Sequence, residues 1–357
     1  MKLRRLFIIA GIAALAASGF AAAKRSQELE LIRAGLKDSS REIRQLSAQA
    51  LGAVGDKSSV PALKEMLSDP NDSLKITVAV ALAKLGDRAG IAEIRKILKN
   101  VPQLSDNPKP LERVKAIAKG TVRAQAAREL GNLKDIDSIE LLKIMIDDED
   151  GRVADASLIA LAKMGDPAGK KEFISALEST KQEVRAKAAE ALGEIGDQNA
   201  LEPLRKRLKD WDKGAKAAAV LALGKLKDKQ SAPVIREMLW DKEDVLKENA
   251  AQALGYMGIT DVAPAIEELL KDKNGFVRFA AVEALYRLGQ DSGKQFVLDT
   301  LKADEKDAKL RALNILEKTA TAKDIPLMEP LVSNPDREVS ITAAKAIVTV
   351  ESRENAK

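Results

Sequence analysis

The chain contains neither cysteine nor histidine. Without cysteine there are no disulfides, no thiolate nucleophile, no thiolate metal site and no lipid-modified cysteine after an export signal. Without histidine, the serine–histidine and cysteine–histidine catalytic pairs and imidazole metal sites are excluded as well. Aromatic residues make up only 3% of a chain that is 45% apolar. Alanine and leucine supply much of the remainder, which suits close helix-on-helix packing. Neither sign of charge dominates. Of 59 bases set against 54 acids, three (Lys2, Arg4 and Arg5) fall in the first 23 residues, which hold no acid. The rest is close to neutral, so a phosphate-binding surface would have to be a local patch, and no specific nucleic-acid partner is expected.

Long apolar runs are confined to the start. Met1–Arg5 is basic, Leu6–Ala17 is apolar, and Ala21-Ala22-Ala23 supplies small residues before a cleavage point. This is the pattern of a bacterial export signal over residues 1–23, cut after Ala23, which places the mature chain in the periplasm or outside the cell. The alternative is an uncleaved membrane anchor over Leu6–Ala23, but its second half is Ala, Gly and Ser, poorly hydrophobic for a stable span.

What the chain has is a period. A leucine or isoleucine recurs at Leu51, Leu82, Leu130, Leu161, Leu192, Leu223, Leu254, Leu285, Leu316 and Ile347, always 31 residues apart except between Leu82 and Leu130. That interval holds one period plus a 17-residue insertion, about 101–117. Four residues before each landmark stands a small or β-branched residue, from Ser47 and Val78 to Ala312 and Ala343, and eight before it an apolar one, such as Ile43, Leu74, Val184 and Val277. Spacings of four and eight lie on one helical stripe, so each landmark belongs to a first helix. Gly-Asp pairs such as Gly55-Asp56 and Gly196-Asp197 then end it. A second helix follows, commonly opened by proline (Pro61, Pro233, Pro264, Pro326). Its apolar pairs fall twelve and sixteen residues past the landmark, as in Leu63/Leu67 and Ile235/Leu239.

Extending the register backwards places Ile32, Leu36 and Asp38 where a second helix should stand, so the mature chain starts with a lone second helix. At the other end Asp336–Ser352 is a first helix with no partner after it, followed by a frayed tail, 353–357. Lys134 and Lys227 stand where other units have the second glycine, and Ala308–Lys323 has no glycine, so the ninth unit is expected to be distorted. In the insertion, three prolines between Val101 and Pro110 forbid a helix, and Leu111–Lys119 extends or precedes the next one. Such an insertion is either a binding feature or a tolerated surface excursion.

Segments such as Glu183-Val-Arg-Ala-Lys-Ala-Ala-Glu-Ala-Leu-Gly-Glu-Ile-Gly-Asp197 resemble the HEAT-repeat family, in particular its short bacterial form in phycobilin-lyase-like proteins. The resemblance spans about residues 26–352. It implies an all-α fold, an α-solenoid of about nine to ten antiparallel helix pairs over 24–352, with a curved face for binding. Some members of the family bind iron through His-Glu pairs and hydroxylate a lysine derivative, and this chain has no histidine for that site. Relatives of phycobilin lyases act by holding a chromophore and its acceptor.

Candidate sites are few. Gly165–Lys171 is one residue short of a phosphate loop and lacks the hydroxyl after the lysine. Asp147–Asp150 fails the register of a calcium loop and reads as a solvated turn. Thirteen residues past the landmark, Lys64, Arg95, Lys143, Arg205 and Arg236 form a broken basic column. It is either a solvated flank of the core stripe or a ladder for an acidic peptide, anionic polysaccharide or lipid headgroup. Seven of the eight aromatics after residue 23 lie between 211 and 296. Trp211, Trp240, Tyr256 and Tyr286 among them are off the core stripe, as interface residues or as packing at inter-repeat turns. The function these features imply is an exported, non-catalytic scaffold that binds protein partners along its curved face and needs no cofactor. The alternatives are a lyase-like ligand holder and a sugar- or lipid-binding envelope module.

Overall fold

The computed structural model describes residues 25–355, which form helices and turns with no strand among them. The expected export signal lies outside the described residues. Twenty α-helices alternate in two sets. The landmark helices are α2 (Arg41–Val54), α4 (Asp72–Lys84), α6 (Pro110–Asn132), α8 (Gly151–Lys163), α10 (Gln182–Ile195), α12 (Lys213–Lys225), α14 (Asp244–Met257), α16 (Gly275–Arg287), α18 (Lys306–Thr319) and α20 (Arg337–Asn355). The second helices are α1 (25–34), α3 (Val60–Met66), α5 (Arg88–Lys99), α7 (Ile139–Met145), α9 (Pro167–Ala176), α11 (Leu201–Arg207), α13 (Ala232–Glu237), α15 (Ala263–Glu268), α17 (Lys294–Lys302) and α19 (Ile325–Met328). Short 3-10 turns lead into or out of most of the second set. Pro61, Pro233, Pro264 and Pro326 sit in first turns, as expected.

Each even helix packs along the next even helix, whereas odd helices scarcely touch one another. Landmark helices therefore form an inner layer and second helices an outer one. The junctions depend on one column. A Cβ added at Gly52, Gly131, Gly193, Gly224 or Gly255, one residue past the landmark, would lie 2.4–2.8 Å from the Cα of Ala81, Ala160, Ala222, Ala253 or Ala284 on the following helix. Glycine facing alanine lets two backbones touch, and these five junctions are the closest-packed of the array. Where the column holds Ala83, Ala162 or Tyr286 instead, the α4/α6, α8/α10 and α16/α18 junctions are much looser.

The array closes on itself. The final landmark helix, α20, packs on α2, and Ile341 and Ala344 share one apolar cluster with Ile32, Leu36, Leu51 and Leu74. A Cβ on Gly35 would sit 2.8 Å from Ile341 Cδ1 and 2.0 Å from Ser47 Oγ, so only glycine lets the end of α1 reach between α2 and α20. Arg337 pairs with Asp38 at 3.4 Å, and Arg25 with Glu351 at 3.5 Å. The lone second helix and the lone first helix are thus two halves of a tenth unit. The solenoid is a ring, where the sequence implied an open array. Helix α20 also runs through Asn355 rather than fraying at 353, because Arg353 donates to the carbonyls of Glu317 and Lys318 at 3.1 and 3.0 Å.

The glycines that end the landmark helices adopt left-handed backbone, as at Gly196 with φ 81°. Lys134 and Lys227 adopt it as well, with φ 52° and 57°. The ninth unit departs as expected: α18 ends on Ala320 in extended conformation, and α19 has only four residues before a 3-10 turn, Glu329–Ser333, takes over. In the insertion, Pro110 opens a single continuous α6.

Candidate functional site

The basic column is engaged from unit to unit. Lys64 pairs with Asp87 at 2.7 Å, Arg95 with Asp135 at 2.7 Å, Arg205 with Asp228 at 2.5 Å and Arg236 with Asp261 at 3.2 Å. Arg33 continues the series into α1 with Asp56 at 2.8 Å. In each case a second helix grips the turn after the next landmark helix. Lys143 instead pairs with Glu140 on its own helix at 3.1 Å. A column whose charges are spent on neighbouring units has little left for an anionic ligand. Its outer members are half exposed and contribute modestly to stability.

A second set of pairs went unread in the sequence. Seven residues before the landmark, Arg123, Arg185 and Lys247 reach the acid that closes their own unit, Asp148, Asp210 and Asp272. Both side chains of Arg185 and Asp210 are almost fully buried, 2.7 Å apart. The hydrogen bond from Arg185 outweighs desolvation and holds the Asp210 carboxyl below its ordinary range. Two of the four acids in the Asp147–Asp150 turn are consumed in this way: Asp148 on Arg123, and Asp150 on Arg152 and the N-terminus of α8.

The four aromatics singled out are not brought together. Trp211 and Trp240 stand at the ends of α11 and α13, on the rim where landmark helices begin. Tyr256 and Tyr286 lie near the ends of α14 and α16, at the opposite rim. Trp211 is 73% exposed with the Arg185 guanidinium 5.4 Å from its ring, and Trp240 is 57% exposed, its Nε1 donating to Glu268 at 3.3 Å. Tyr256 is half-buried under Arg287, 4.2 Å away. Tyr286 is buried, so it is packing and not a contact residue. It occupies the glycine column at the loose α16/α18 junction. Its hydroxyl lacks a hydrogen-bond partner, and burial raises its phenol above the ordinary tyrosine value.

That junction carries the most developed surface site, which the sequence reading did not single out. Between them α16, α17 and α18 leave a groove of about 630 Å³ lined by Phe276, Phe279, Phe296, Arg278 and Arg311, with the acids Asp299, Glu305 and Asp307 also on its walls. Phe279 and Phe296 meet edge to face with centroids 5.4 Å apart. Arg311, on α18, lies 4.5 Å from the ring of Phe276 and 5.3 Å from that of Phe279. Among the described residues no carboxylate lies within ion-pair distance of it. Phe276 is 55% exposed at the mouth. A second groove along the inner face shares Phe276, Phe279 and Arg311 and reaches Glu248, whose carboxyl is raised by burial against the pull of Arg311. A guanidinium over two phenylalanine rings is a donor for a carboxylate attached to an apolar group, in a groove whose walls also carry Asp299, Glu305 and Asp307.

Antiparallel helix pairs at a 31-residue period, stacked through an inner layer, define a helical-repeat protein of the α-solenoid class. HEAT-repeat models match residues 29–104, 170–254 and 241–308, more than half of the chain, and a model of the PBS lyase HEAT-like repeat matches 122–148. The chain belongs to the HEAT-repeat family. It is similar in fold to the complex of CpcE and CpcF of phycocyanin lyase from Nostoc sp. PCC7120, at 22% identity and a TM-score of 0.45 over 58% of this chain and 93% of that one. Human deoxyhypusine hydroxylase is matched at 19% identity and a TM-score of 0.35, covering 76% of this chain and 99% of that one. Kap121p is matched at 15% identity and a TM-score of 0.38, covering 92% and 42%. No curated protein sequence matches the chain significantly.

Proposed function

We propose that the protein is an exported, non-catalytic scaffold that captures a protein segment at the α16/α18 groove. The observation that carries this reading is Arg311, exposed, lying over the rings of Phe276 and Phe279, and forming no ion pair among the described residues, with Glu248 the carboxylate that feels its charge. The segment it suits presents an apolar side chain next to a carboxylate, so that burial against the phenylalanines adds to a charge-assisted hydrogen bond. Trp211 and Trp240, on the same rim as Phe276, extend the contact surface. Export to the periplasm or beyond rests on the sequence of residues 1–23, and the scaffold role draws on the binding habits of helical-repeat surfaces.

The experiment is an in-cell crosslink and pull-down of wild type against Phe276→Ala/Arg311→Glu and Trp211→Ala/Trp240→Ala, with fractionation and N-terminal sequencing of the mature chain. A stoichiometric partner lost from the first variant, on a chain starting at Lys24 outside the cytoplasm, supports the proposal. The groove volume also favours a second reading, a lyase-like holder of a small ligand. Absence of any protein partner together with a bound chromophore in the purified protein would put that reading first.

A further inference from the structure

Every landmark helix starts ten residues before its landmark except α6, which starts twenty before Leu130. Its first ten residues, Pro110–Lys119, therefore stand about 15 Å proud of the rim. The ring reaches them through Arg152, which donates to the carbonyl of Ile117 at 3.1 Å, and leaves the apolar side chains open. Leu111, Val114 and Ile117 are 64%, 61% and 59% exposed, and Val101 and Leu104 in the preceding loop are about half exposed. On a helix the three residues share a third of the circumference with Ala118, while Arg113 and Lys115 flank its two edges and Lys119 and Glu112 take the opposite side. Glu112 is occupied by the hydroxyl of Ser105, which donates to it at 3.0 Å. Helical turns that carry an aliphatic stripe exposed to water call for an apolar covering.

We propose that this extension is a membrane-surface anchor, which lays Leu111, Val114 and Ile117 into the interface of an anionic bilayer. Two observations favour lipid over a protein groove-filler. The element is convex and projects beyond the rim, and two of its bases, Arg113 and Lys115, sit at the edges of the apolar stripe, where they reach phosphates as the stripe is buried. The stretch Lys99–Lys119 holds Lys99, Lys109, Arg113, Lys115 and Lys119 against Asp106 and Glu112. Of the acidic turn nearby, Asp148 and Asp150 are already neutralised by Arg123 and Arg152. Trp211 and Trp240 lie on the same rim, where indoles suit a headgroup layer. No helix among the described residues is long and apolar enough to cross a membrane, so the attachment is peripheral.

The test is co-sedimentation of the chain from residue 24 onward, which holds the whole described ring, with vesicles of phosphatidylglycerol and phosphatidylethanolamine or of phosphatidylcholine alone. Wild type should partition to the anionic vesicles and lose most of that binding at high salt. Leu111→Asp/Val114→Asp/Ile117→Asp should lose at least about tenfold in partitioning with an unchanged melting temperature, since the side chains are exposed. Lys109→Glu/Arg113→Glu/Lys115→Glu should lose the anionic preference. No wild-type partitioning, or partitioning that survives the triple aspartate variant, overturns the proposal. A protein crosslinked at Val114 in a preparation that ignores vesicles overturns it in favour of a protein contact.

Discussion

The guanidinium of Arg25 donates a hydrogen bond to the hydroxyl of Ser352 at 3.0 Å across 327 residues of chain, and the same side chain pairs with Glu351. This contact lies at the seam where α1 completes the unit begun by α20.

Closure is expected to be separable from folding of the units. Gly35→Val places side-chain atoms into Ser47 and Ile341 and should open the ring at that seam. Small-angle scattering should then show a larger radius of gyration with helix content nearly unchanged. Unchanged scattering alongside an unchanged melting temperature would mean that α1 does not hold α20.

The inner junctions should respond to a single carbon. A Cβ at Gly224 would lie 2.4 Å from the Cα of Ala253, so Gly224→Ala should cost roughly 1–3 kcal/mol in urea titrations, the range for overpacking. Gly151 opens α8 with nothing within 4 Å, and Gly151→Ala is the matched control, expected to be neutral or slightly stabilising. Equal effects at the two sites would dissociate the glycine column from junction packing.

Leu192 is fully buried in the largest apolar cluster, and Leu192→Ala should cost roughly 2–5 kcal/mol by chemical denaturation. At Lys227, held at φ 57°, the sign reverses. Lys227→Gly removes left-handed strain of roughly 1–2 kcal/mol and returns part of it as chain entropy, so the midpoint should rise. A fall would show that the lysine side chain does more for stability than its backbone costs.

The Arg185–Asp210 pair sets an acid limit. A carboxyl depressed in the folded state adds stability that is complete above the unfolded value of about 3.9 and disappears as pH falls through the folded value. Asp210→Asn should therefore lower the urea midpoint at neutral pH and match wild type once Asp210 is protonated in both states. A gap that persists unchanged at about pH 2 would assign the effect to packing.

The repeat was legible because each unit solves the same local problem, burying one stripe, and the solution recurs in the letters. Leu192 and its counterparts were found without coordinates, as were the left-handed turns at Gly55 and Gly196. The ring was not legible. Ile341 joins the cluster of Ile32 only through the summed rotation of all the units, and no single unit states its rotation. The sequence does carry a signal of the unit-to-unit pairs: Arg33, Lys64 and Arg205 each precede an aspartate by 23 residues, and those are the pairs that form. Tyr286 replaces glycine one residue past its landmark, which marks the loose junction. The site at Phe276, Phe279, Phe296 and Arg311 escaped because it draws on three helices, and Arg311 matters only for lacking a carboxylate.

In a linear stack, units at the ends have one neighbour and unravel first. Here every unit has two, and losing any one means breaking two junctions. With residue 25 beside residue 352, a short linker between them and a cut at another rim turn should yield a circular permutant with the same ring. The permutant would change only the schedule. In the natural order, α1 is made before α20 and waits for it before their shared unit exists.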